Sequence, residues 1–427
     1  MDIAVHDLKT RNGCLGDVDT IADILNAAFQ LEKRPEKQAS ARRLANHHFS
    51  EFLLLEDAGV TVGVAHIAPQ WLQVGREAIL KGDVGHVGVR PDRQGTGHGT
   101  RLLEACISTM HARGMHMSRL GGLMRFYRRF GYEPFPRRLI RIPVEPMAAV
   151  LKGRTWAEIL ALPPEQAQRV RPYHPARDYR AKHALLVAFN DGRSGAARTP
   201  DAPGDAPTAG PDDEGLEIVY EQDGVIRGYL RGALALVHAR APTPTYCVNT
   251  FAYDPQTPEA CGALLKIFIR RAASIAPTAI TARFPFDERV FADINAANIR
   301  FEAVELRQGA DGNMVQVINL PALLEAISPE LEHRIADAAP APWTGHVRFV
   351  LPGQEAGLSV SPGGISTGAT PENAVTVKTG HSTFLKWVFG ISGFAEFADA
   401  GLGLTPPQHQ LLATLFPRRP CASGVWG

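Results

Sequence analysis

Apolar and polar positions follow two different periods along the first 145 residues. Helical spacing recurs in "DVDTIADILNAAFQ", with Asp17 or Asp19 as a candidate cap, and in "GTRLLEACISTMHARG", with Gly114 as its stop signal. β-rich runs occur in "EAILKGDVGHVGVRP" and in "EFLLLEDAGVTVGVAHIAP", whose acidic turn with Gly59 predicts a hairpin. Shorter segments predict two strands, "MDIAVHDLK" and "MHMSRL", a helix, "LMRFYRRF", and a turn, "GYEPFP". The pattern predicts a mixed α/β unit.

A similar succession of elements returns in the middle of the chain. "EQDGVIRGYL", from Glu221, aligns without gaps on "EDAGVTVGVA", from Glu56, with Glu, Gly, Val and Gly at the same places. A strand, "TYCVNTFAYDP", and a helix, "EACGALLKIFIRRAASIA", then follow in the same order as before. Chance similarity of two hairpins is the alternative, but the matching order of elements favours a duplicated fold.

Two further segments divide the chain. "NDGRSGAARTPDAPGDAPTAGPDDEG" has almost nothing to bury, which predicts a flexible loop at about 190–215. After "MVQVINLPALLEAI", one long helical pattern, three short β-like runs and two apolar helices predict a small α+β module. The predicted fold class is α/β with α+β parts. Its predicted domains are residues 1–145, a degenerate second unit at 146–312, and a C-terminal module at 313–427.

Composition narrows the classes of protein. A net charge of +1 over 427 residues gives no bulk electrostatic case for a nucleic-acid or membrane partner. The five cysteines are scattered and lack C-x-x-C spacing, which argues against a disulfide framework or a structural zinc site, so no metal is expected. The polar start "MDIAVHDLKTRNG" has no signal core, and no stretch approaches the ~20 apolar residues of a membrane helix. We therefore expect a cytoplasmic protein.

The chemistry concentrates in "VGVRPDRQGTGHGTRLLEACI", where Gly95, Gly97 and Gly99 alternate between a predicted strand and a predicted helix. Glycines at such a turn let backbone N–H groups converge on an anion, and the helix dipole adds to the attraction. A pyrophosphate is the natural ligand, although turns of this kind also serve close packing. A P-loop would need a lysine near Gly99-Thr100, and a dinucleotide fingerprint would need G-x-G-x-x-G near the first strand.

The spacing Gln94-x-x-Gly97-x-Gly99 after "VGV-RP" resembles the acetyl-coenzyme A loop of the GNAT-type N-acetyltransferases. "FYRRFGYEPF" resembles the second mark of that family, and the two motifs cover roughly residues 1–145. The order of a GNAT unit, a degenerate GNAT unit and a sterol-carrier-like module is similar to the enhanced intracellular survival family. Its "YGRFGYGP" is close to "YRRFGYEP" here, and "LFPRRP" near the end adds to the likeness.

The resemblance implies an acetyl-CoA-dependent N-acetyltransferase acting on a primary amine of an aminoglycoside-like compound, a polyamine or a lysine side chain. It implies that Tyr127 is the catalytic acid and that the terminal carboxylate, here Gly427, is the base. Gly122-Leu123 stand where the family has a Ser-Glu pair. The residues expected to bind the cofactor are Val87, Gly88, Val89, Gln94, Gly95, Thr96, Gly97, His98, Gly99, Thr100, Gly122 and Leu123.

Other interpretations stay open at this point. Tyr127 without its motif would be a core tyrosine, His86 is a competing base or a structural histidine, and Asp83 is a third candidate base. His98 falls at a variable position of the loop, so a simply exposed residue is the alternative to a cofactor-binding one. The alternative function is lipid or sterol binding through the C-terminal module. The second unit has "DPQTPEACG" in place of the glycines, which predicts that its site is lost. The resemblance also implies a homo-oligomer, a hexamer.

Overall fold

The computed structural model describes residues 8–144, 156–198, 216–235, 245–273, 279–306, 313–338, 344–397 and 403–422. Within these ranges the chain forms three β-sheets with helices packed on their faces. The predicted class, a mixed α/β protein, is confirmed.

The first sheet has seven strands in the order β1-β2-β3-β4-β5-β14-β6. They are β1 (Leu8–Asn12), β2 (Phe52–Asp57), β3 (Val60–Val74), β4 (Glu77–Val89), β5 (Met117–Leu120), β6 (Glu133–Pro134) and β14 (Met314–Val317). The associated helices are α1 (Val18–Phe29), α2 (Pro35–His48), α3 (His98–Ala112) and α4 (Met124–Tyr127). Helices α1 and α2 share a core with Val64 of β3, whereas α3 packs with Val62, so they cover opposite faces.

Local signals account for most of these boundaries. The β2–β3 hairpin turns at Ala58-Gly59, both at positive φ, as a two-residue hairpin requires. Helix α3 ends before Gly114, which has a φ of 69°. Asp17 occupies the N-cap position of α1, as predicted, but its carboxylate binds Arg11 at 2.6 Å and makes no capping hydrogen bond to the helix. The described part of the first strand runs from Leu8 to Asn12, past the predicted end at Lys9, and residues 1–7 of the prediction lie outside the described part.

The second sheet has seven strands in the order β8-β9-β10-β11-β12-β7-β13. They are β7 (Arg137–Pro143), β8 (Val170–Pro172), β9 (Leu216–Gln222), β10 (Val225–Ala235), β11 (Thr245–Tyr253), β12 (Ala279–Ala282) and β13 (Glu302–Leu306). Its helices are α5 (Trp156–Ile159), α6 (Pro164–Arg169), α7 (Pro175–Asn190), α8 (Glu259–Ala273) and α9 (Glu288–Ala296). The central pair β11–β12 is parallel and is connected through α8, as β4–β5 is through α3.

Each of these two sheets contains one strand that is distant in sequence from most of the other strands in that sheet. Strand β14 lies between β5 and β6, and β7 takes the corresponding place between β12 and β13. The domain boundaries predicted at residues 145 and 312 therefore do not separate the sheets. Strand β7 precedes residue 145 but lies in the second sheet, and β14 follows residue 312 but lies in the first. This exchange ties the two sheets together, because neither sheet is complete without the other segment.

The third sheet has the order β17-β16-β15-β18 and belongs to the C-terminal part of the chain. Its strands are β15 (Gly345–Leu351), β16 (Gln354–Ser361), β17 (Gly364–Gly368) and β18 (Val375–Lys378). The surrounding helices are α10 (Leu320–Asp337), α11 (His381–Val388) and α12 (Pro406–Leu415). The predicted helices and three β-like runs are all present, and β17 is a strand that the sequence analysis missed.

The core of this C-terminal part continues onto the first sheet. Leu72, Val74 and Ile79 of β3 and β4 belong to the same apolar cluster as α10 and the third sheet. One face of the β3–β4 hairpin is therefore covered by α1 and α2 near one end and by the C-terminal part near the other. No helix among the described residues is long and apolar enough to cross a membrane.

Candidate active site

Strands β4 and β5 run side by side for four residues and then separate. Their parallel pairing ends at Val84 and Leu120, while β4 continues to Val89, paired with β3. An opening that we call the wedge therefore lies between the last part of β4 and the chain after Leu120. The loop that carries the glycines follows β4 directly, so it lies at one side of the wedge.

A bulge shifts the register of β4 where the wedge begins. The pairing with β3 slips between Val64 and His66, and His86 adopts a φ of 50° at this point. A β-bulge leaves one residue without a ladder partner and turns its side chain to a new direction. The His86 ring lies 6.1 Å from the His66 ring, centroid to centroid, whereas Val87 and Val89 pack in the α3 core. His86 therefore points away from the face that α3 covers.

The backbone at the end of β4 faces the wedge. Arg90 N–H donates to the Val62 carbonyl of β3 at 2.9 Å. Because successive residues of a strand direct their amides alternately to either side, the amides of Val87 and Val89 are directed toward the wedge. The carbonyl of Val89 already accepts a hydrogen bond from Gln94 Nε2 at 2.9 Å. The N–H is therefore the backbone group of Val89 that can bind a ligand.

The glycine loop lies open to solvent. Gly95 and Gly97 have φ values of 77° and 94°, a region that favours glycine. A Cβ atom on either residue would meet no atom of the described residues within 4 Å, so close packing within the protein does not explain them. Gly99 lies in the first turn of α3, where a Cβ atom would come 3.8 Å from the ring of Phe126. Space for a ligand explains this loop better than packing does.

The start of α3 supplies donors to the same space. The helix begins at His98, and Arg101 N–H makes the first helical bond, to the Gly97 carbonyl at 3.1 Å. The amides of His98, Gly99 and Thr100 precede that bond and have no acceptor within the helix. The start of α3 therefore offers three N–H donors and the positive end of the helix dipole, and the two glycines leave space in front of them. A pyrophosphate group can bind in such a place.

Gly88 has a different role from the other glycines of this segment. A Cβ atom there would lie 3.1 Å from the Cβ of Ala28 in α1. The glycine thus allows α1 to pack closely on β4, and Gly88 contributes to the cofactor strand through its backbone alone.

Tyr127 ends the short helix α4 and lies among aromatic and apolar side chains. Its ring is 5.2 Å from that of Phe126 and 6.3 Å from that of Tyr132. No group of the described chain accepts a hydrogen bond from its hydroxyl. Burial, with a smaller effect of the Cys106 thiol, raises the pKa of Tyr127 above its usual value. The phenol therefore keeps its proton at neutral pH, as a general acid must.

Gly122 and Leu123 connect β5 to α4 beside this tyrosine. Gly122 has a φ of 136°, and a Cβ atom there would come 3.3 Å from the Tyr127 ring. The Leu123 carbonyl accepts from the amides of Phe126 and Tyr127, which starts α4, while its side chain is 77% exposed. This pair positions the tyrosine, and the apolar Leu123 side chain is left on the surface.

Histidines and one carboxylate line the opposite face of β3 and β4. His66 is buried, and its Nε2 lies 2.8 Å from Glu51 Oε2. Glu51 Oε1 lies 3.1 Å from Nδ1 of His48, which is exposed. Burial lowers the pKa of His66 despite Glu51, and partial desolvation together with His66 lowers the pKa of His86. Both rings are therefore neutral bases at neutral pH.

The carboxylate of Asp83 lies near two cationic side chains. Its Oδ2 lies 2.9 Å from Nζ of Lys81, which is fully buried, and its Oδ1 lies 3.9 Å from Nη1 of Arg119. Two positive groups thus face this carboxylate. The structure therefore gives Asp83 a structural environment and brings it near neither the glycine loop nor Tyr127 through any contact.

Gly427 lies outside the described residues, which end at Ala422. Ala422 N–H donates to the Ser194 carbonyl at 2.8 Å, and Gly195 N–H donates to the Gln73 carbonyl at 2.7 Å. Because Ser194 and Cys421 pair in parallel while Leu72 and Ala197 pair antiparallel, the chain at Cys421 runs in the direction opposite to β3.

The corresponding loop of the second sheet is closed by its own backbone. Thr257 N–H donates to Asp254, Ala260 N–H to Thr257, and Cys261 N–H to Pro258, at 2.8 to 3.1 Å. The first amides of α8 are thus used within the loop, in contrast to those of α3. In the part of the chain that the structure describes, no cluster of three or more His, Cys, Asp or Glu side chains could hold a metal ion.

Comparisons with known proteins agree with this geometry. The family model described as "Acetyltransferase (GNAT) domain" matches residues 9–135. A search of curated proteins gave no match.

Solved structures are similar to nearly the whole chain. A GCN5-related N-acetyltransferase from Kribbella flavida is 19% identical with a TM-score of 0.65, and the match covers 99% of each chain. One from Anabaena variabilis is 13% identical with a TM-score of 0.67, covering 98% of this chain and 99% of that one. Eis1 from Mycobacterium abscessus is 15% identical with a TM-score of 0.54, covering 96% and 97%. At these identities the likeness concerns the fold, and it extends through all three sheets.

The match of residues 9–135 to this domain supports an acyl-CoA-dependent N-acetyltransferase, with acetyl-CoA as the cofactor. The wedge and the glycine loop fit that cofactor: amides of Gly99 and Thr100 would hold its pyrophosphate, and the Val89 amide would hold its pantetheine arm.

Sequence reasoning missed three side chains near the site. Asp57, Glu51 and His66 lie in no motif, and their partners are distant along the chain, so no local signal marks them. The alternative that His98 is simply an exposed loop residue is wrong, because it is 2% exposed. Its ring turns inward because Thr96 and Asp57 offer it hydrogen-bonding partners.

Proposed function

We propose that this protein transfers the acetyl group of acetyl-CoA to a primary amine of an aminoglycoside-like compound, a polyamine or a lysine side chain. The observation that carries the proposal is the wedge. It has the Val89 amide at one edge, the anion-binding start of α3 beside it, and protonated Tyr127 in the domain core next to it. Acetyl transfer from a thioester requires that the cofactor is bound and that an acid protonates the leaving thiolate. The wedge and the start of α3 supply the first, and Tyr127 supplies the second.

Each group has one role in this proposal. Acetyl-CoA supplies the activated acetyl group. The N–H of Val89 stabilises negative charge on the carbonyl oxygen during attack by the amine. Tyr127 holds a proton at Oη and donates it to the sulfur that leaves.

The base that deprotonates the amine is proposed to be the carboxylate of Gly427. The support for this assignment is the resemblance to the enhanced intracellular survival family, which implies that the terminal carboxylate is the base. His86 is the alternative base, since its ring is neutral and lies on the face opposite α3.

The rest of the chain has supporting roles in the proposal. The second sheet is a GNAT unit that has lost its cofactor loop, and the third is a sterol-carrier-like module. Aromatic side chains that contact one another fill the interior of that module: Phe349, Phe384, Trp387, Phe394 and Phe416. Because they occupy the space that a lipid would need, we favour acetyl transfer over lipid binding as the function. The cytoplasmic location and the hexamer stay predictions, and analytical ultracentrifugation measures the second.

A screen of primary amines tests the proposal. Purified protein is mixed with acetyl-CoA and each amine, and the release of free thiol is followed with a chromogenic reagent. We expect amine-dependent thiol release that Tyr127→Phe abolishes. Failure of all amines, with acetyl-CoA bound by calorimetry, would contradict the function. Uptake of a fluorescent fatty acid by the full chain in place of acetyl-CoA would favour lipid binding instead.

A further inference from the structure

The segment that carries Tyr127 is held by two kinds of contact. Its apolar side chains, Phe126, Tyr127 and Phe130, pack against the core that α3 covers. Packing of this kind is not directional, so it limits the depth of the segment but allows it to rotate or slide. Hydrogen bonds have a preferred direction and can fix what packing leaves open. The orientation of the Tyr127 hydroxyl therefore depends on the polar contacts of the segment.

The end of this segment binds the side chain of Gln316. A 3₁₀ turn (Arg128–Phe130) follows α4 directly, and Gln316 Nε2 donates to the Phe130 carbonyl at 2.9 Å. Only the nitrogen of a glutamine amide can donate to a carbonyl, so the contact also fixes the orientation of the Gln316 side chain. Gln316 lies in β14, 186 positions later in the chain. A residue far along the chain thus holds the last carbonyl of the helical segment.

Gly131 makes this contact possible. It has a φ of 88°, and a Cβ atom there would come 2.9 Å from Gln316 Nε2. Any other residue would strain the turn and displace the amide from the Phe130 carbonyl. The glycine of "FYRRFGYEPF" therefore serves a contact with a strand that is distant in sequence.

The strand that follows the turn, β6, is also bound by the C-terminal part of the chain. It is the last strand of the first sheet and pairs with β14 alone. Glu133 Oε2 accepts from Ser382 N–H at the start of α11 at 2.8 Å, and Ser382 Oγ donates to the Pro134 carbonyl at 2.7 Å. Gly380 leaves room for this carboxylate, since a Cβ atom there would come 2.6 Å from Glu133 Oε2. These contacts, like that of Gln316, come from the chain beyond residue 312.

We propose that Gln316 is a positioning residue for Tyr127, and that the start of α11 supports it through Glu133. Gln316 holds the end of the helical segment so that the Tyr127 hydroxyl is presented to the sulfur that leaves. Proton donation by Tyr127 then depends on residues beyond 312. This inference rests on the proposed role of Tyr127 as the acid, and it gives the C-terminal part of the chain a function in the reaction.

A double-mutant cycle tests the coupling between Gln316 and Tyr127. Gln316→Met keeps the length of the side chain and removes its donor. It should lower kcat about tenfold with the KM for acetyl-CoA unchanged, because a misplaced acid affects only the proton transfer. In the Tyr127→Phe protein the same change should have no further effect on kcat, since no proton is left to position. An additional loss of similar size there would mean that Gln316 stabilises the fold alone, which contradicts the proposal.

Gln354→Met is the matched control. Gln354 Nε2 also donates to a carbonyl of the Gln316 strand, that of Val317, at 2.8 Å, but Gln354 belongs to the third sheet. The same substitution removes a similar hydrogen bond there and should leave kcat unchanged with either residue at position 127. A loss of kcat equal to that in Gln316→Met would show that any weakening of β14 has this effect, which would overturn the proposal.

Fluorine NMR measures the position of Tyr127 separately from activity. In protein labelled with 3-fluorotyrosine, the Tyr127 signal is assigned by comparison with Tyr127→Phe, and Gln316→Met should shift or broaden it. An unchanged signal would contradict the proposal. If the wild-type protein transfers acetyl to no amine, the proposed function fails, and the fluorine signal still shows whether Gln316 positions Tyr127. If Gln316→Met fails to fold, Ser382→Ala, which removes the contact with the Pro134 carbonyl, replaces it in the same measurements.

Discussion

Val84 and Leu120 are the last residues that pair β4 with β5, and the site begins where that pairing ends. Beyond them β4 keeps its bonds to β3 on one side and turns its other amides to the wedge. The separation is produced by a bulge at His86 and by the early end of β5, so a ligand can occupy a place that a sheet strand would otherwise fill.

Tyr127→Phe should lower kcat by ~10²-fold or more with little change in the affinity for acetyl-CoA, because only the proton at Oη is lost. Tyr132→Phe is the matched control. The Tyr132 hydroxyl is buried and donates to Ser118 Oγ at 2.8 Å, so its removal should reduce the free energy of unfolding by about 1 kcal/mol and leave kcat unchanged. Full kcat in folded Tyr127→Phe would show that Tyr127 is not the catalytic acid.

Gly97→Glu should abolish CoA binding in calorimetry, because the new side chain would place a negative charge where the pyrophosphate binds. Gly114→Glu is the control for backbone strain. Gly114 also has a positive φ and open space around its Cβ position, but it lies at the other end of α3. Binding should survive there, and equal losses in both variants would show that strain alone is responsible.

One acetyl-CoA should bind per chain. The loop before α8 uses its own amides internally and has no glycine with positive φ between Asp254 and Glu259, so the second sheet offers no anion site of the α3 kind. Isothermal titration gives the number of sites. Two equivalent sites would mean that "DPQTPEACG" binds the cofactor after all.

A C-terminal extension beyond Gly427 should lower kcat most at pH values below the pKa of the amine, where a base is most needed. The added residues would carry the carboxylate away from the site. His86→Ala should have a mild effect by comparison, measured in the same pH series. Full kcat in the extended protein together with a severe loss in folded His86→Ala would move the base to His86.

Stability should fall as the pH drops below the ordinary histidine pKa of about 6.5. Burial lowers the pKa of His66, His116 and His381 in the folded protein. The unfolded chain therefore binds more protons than the folded one in that range, and protonation favours unfolding. His116 shows the cause directly, since its Nδ1 accepts from Leu80 N–H at 2.7 Å and cannot do so when protonated.

Urea unfolding at pH 7.5 and at 5.5 measures this effect. The wild-type protein should lose stability between the two values, and His116→Gln should lose less, because Gln does not titrate. His47→Gln, at an exposed position on α2, should lose as much as the wild-type protein. An equal pH dependence in His116→Gln and the wild-type protein would assign the effect to other groups.

The sequence by itself determined the elements that depend on near neighbours in the chain. Periodicity predicted α1 and α3, the turn with Gly59 predicted the β2–β3 hairpin, and the glycines marked the open loop before α3. These features depend on backbone preferences that each residue carries wherever it is placed. The family resemblance was readable for the same reason, because both of its motifs are short and continuous.

Tertiary structure alone decided the relationships between distant residues. The exchange of β7 and β14 between sheets, the pairing of His66 with Glu51 and the inward turn of His98 toward Asp57 each join parts of the chain that no local pattern connects. Hydrogen bonding in a buried space selects such partners by position and charge, and position is known only after the sheets have packed. The glycines of the loop and His98 were therefore visible in the sequence, but the burial of His98 beside Asp57 was not.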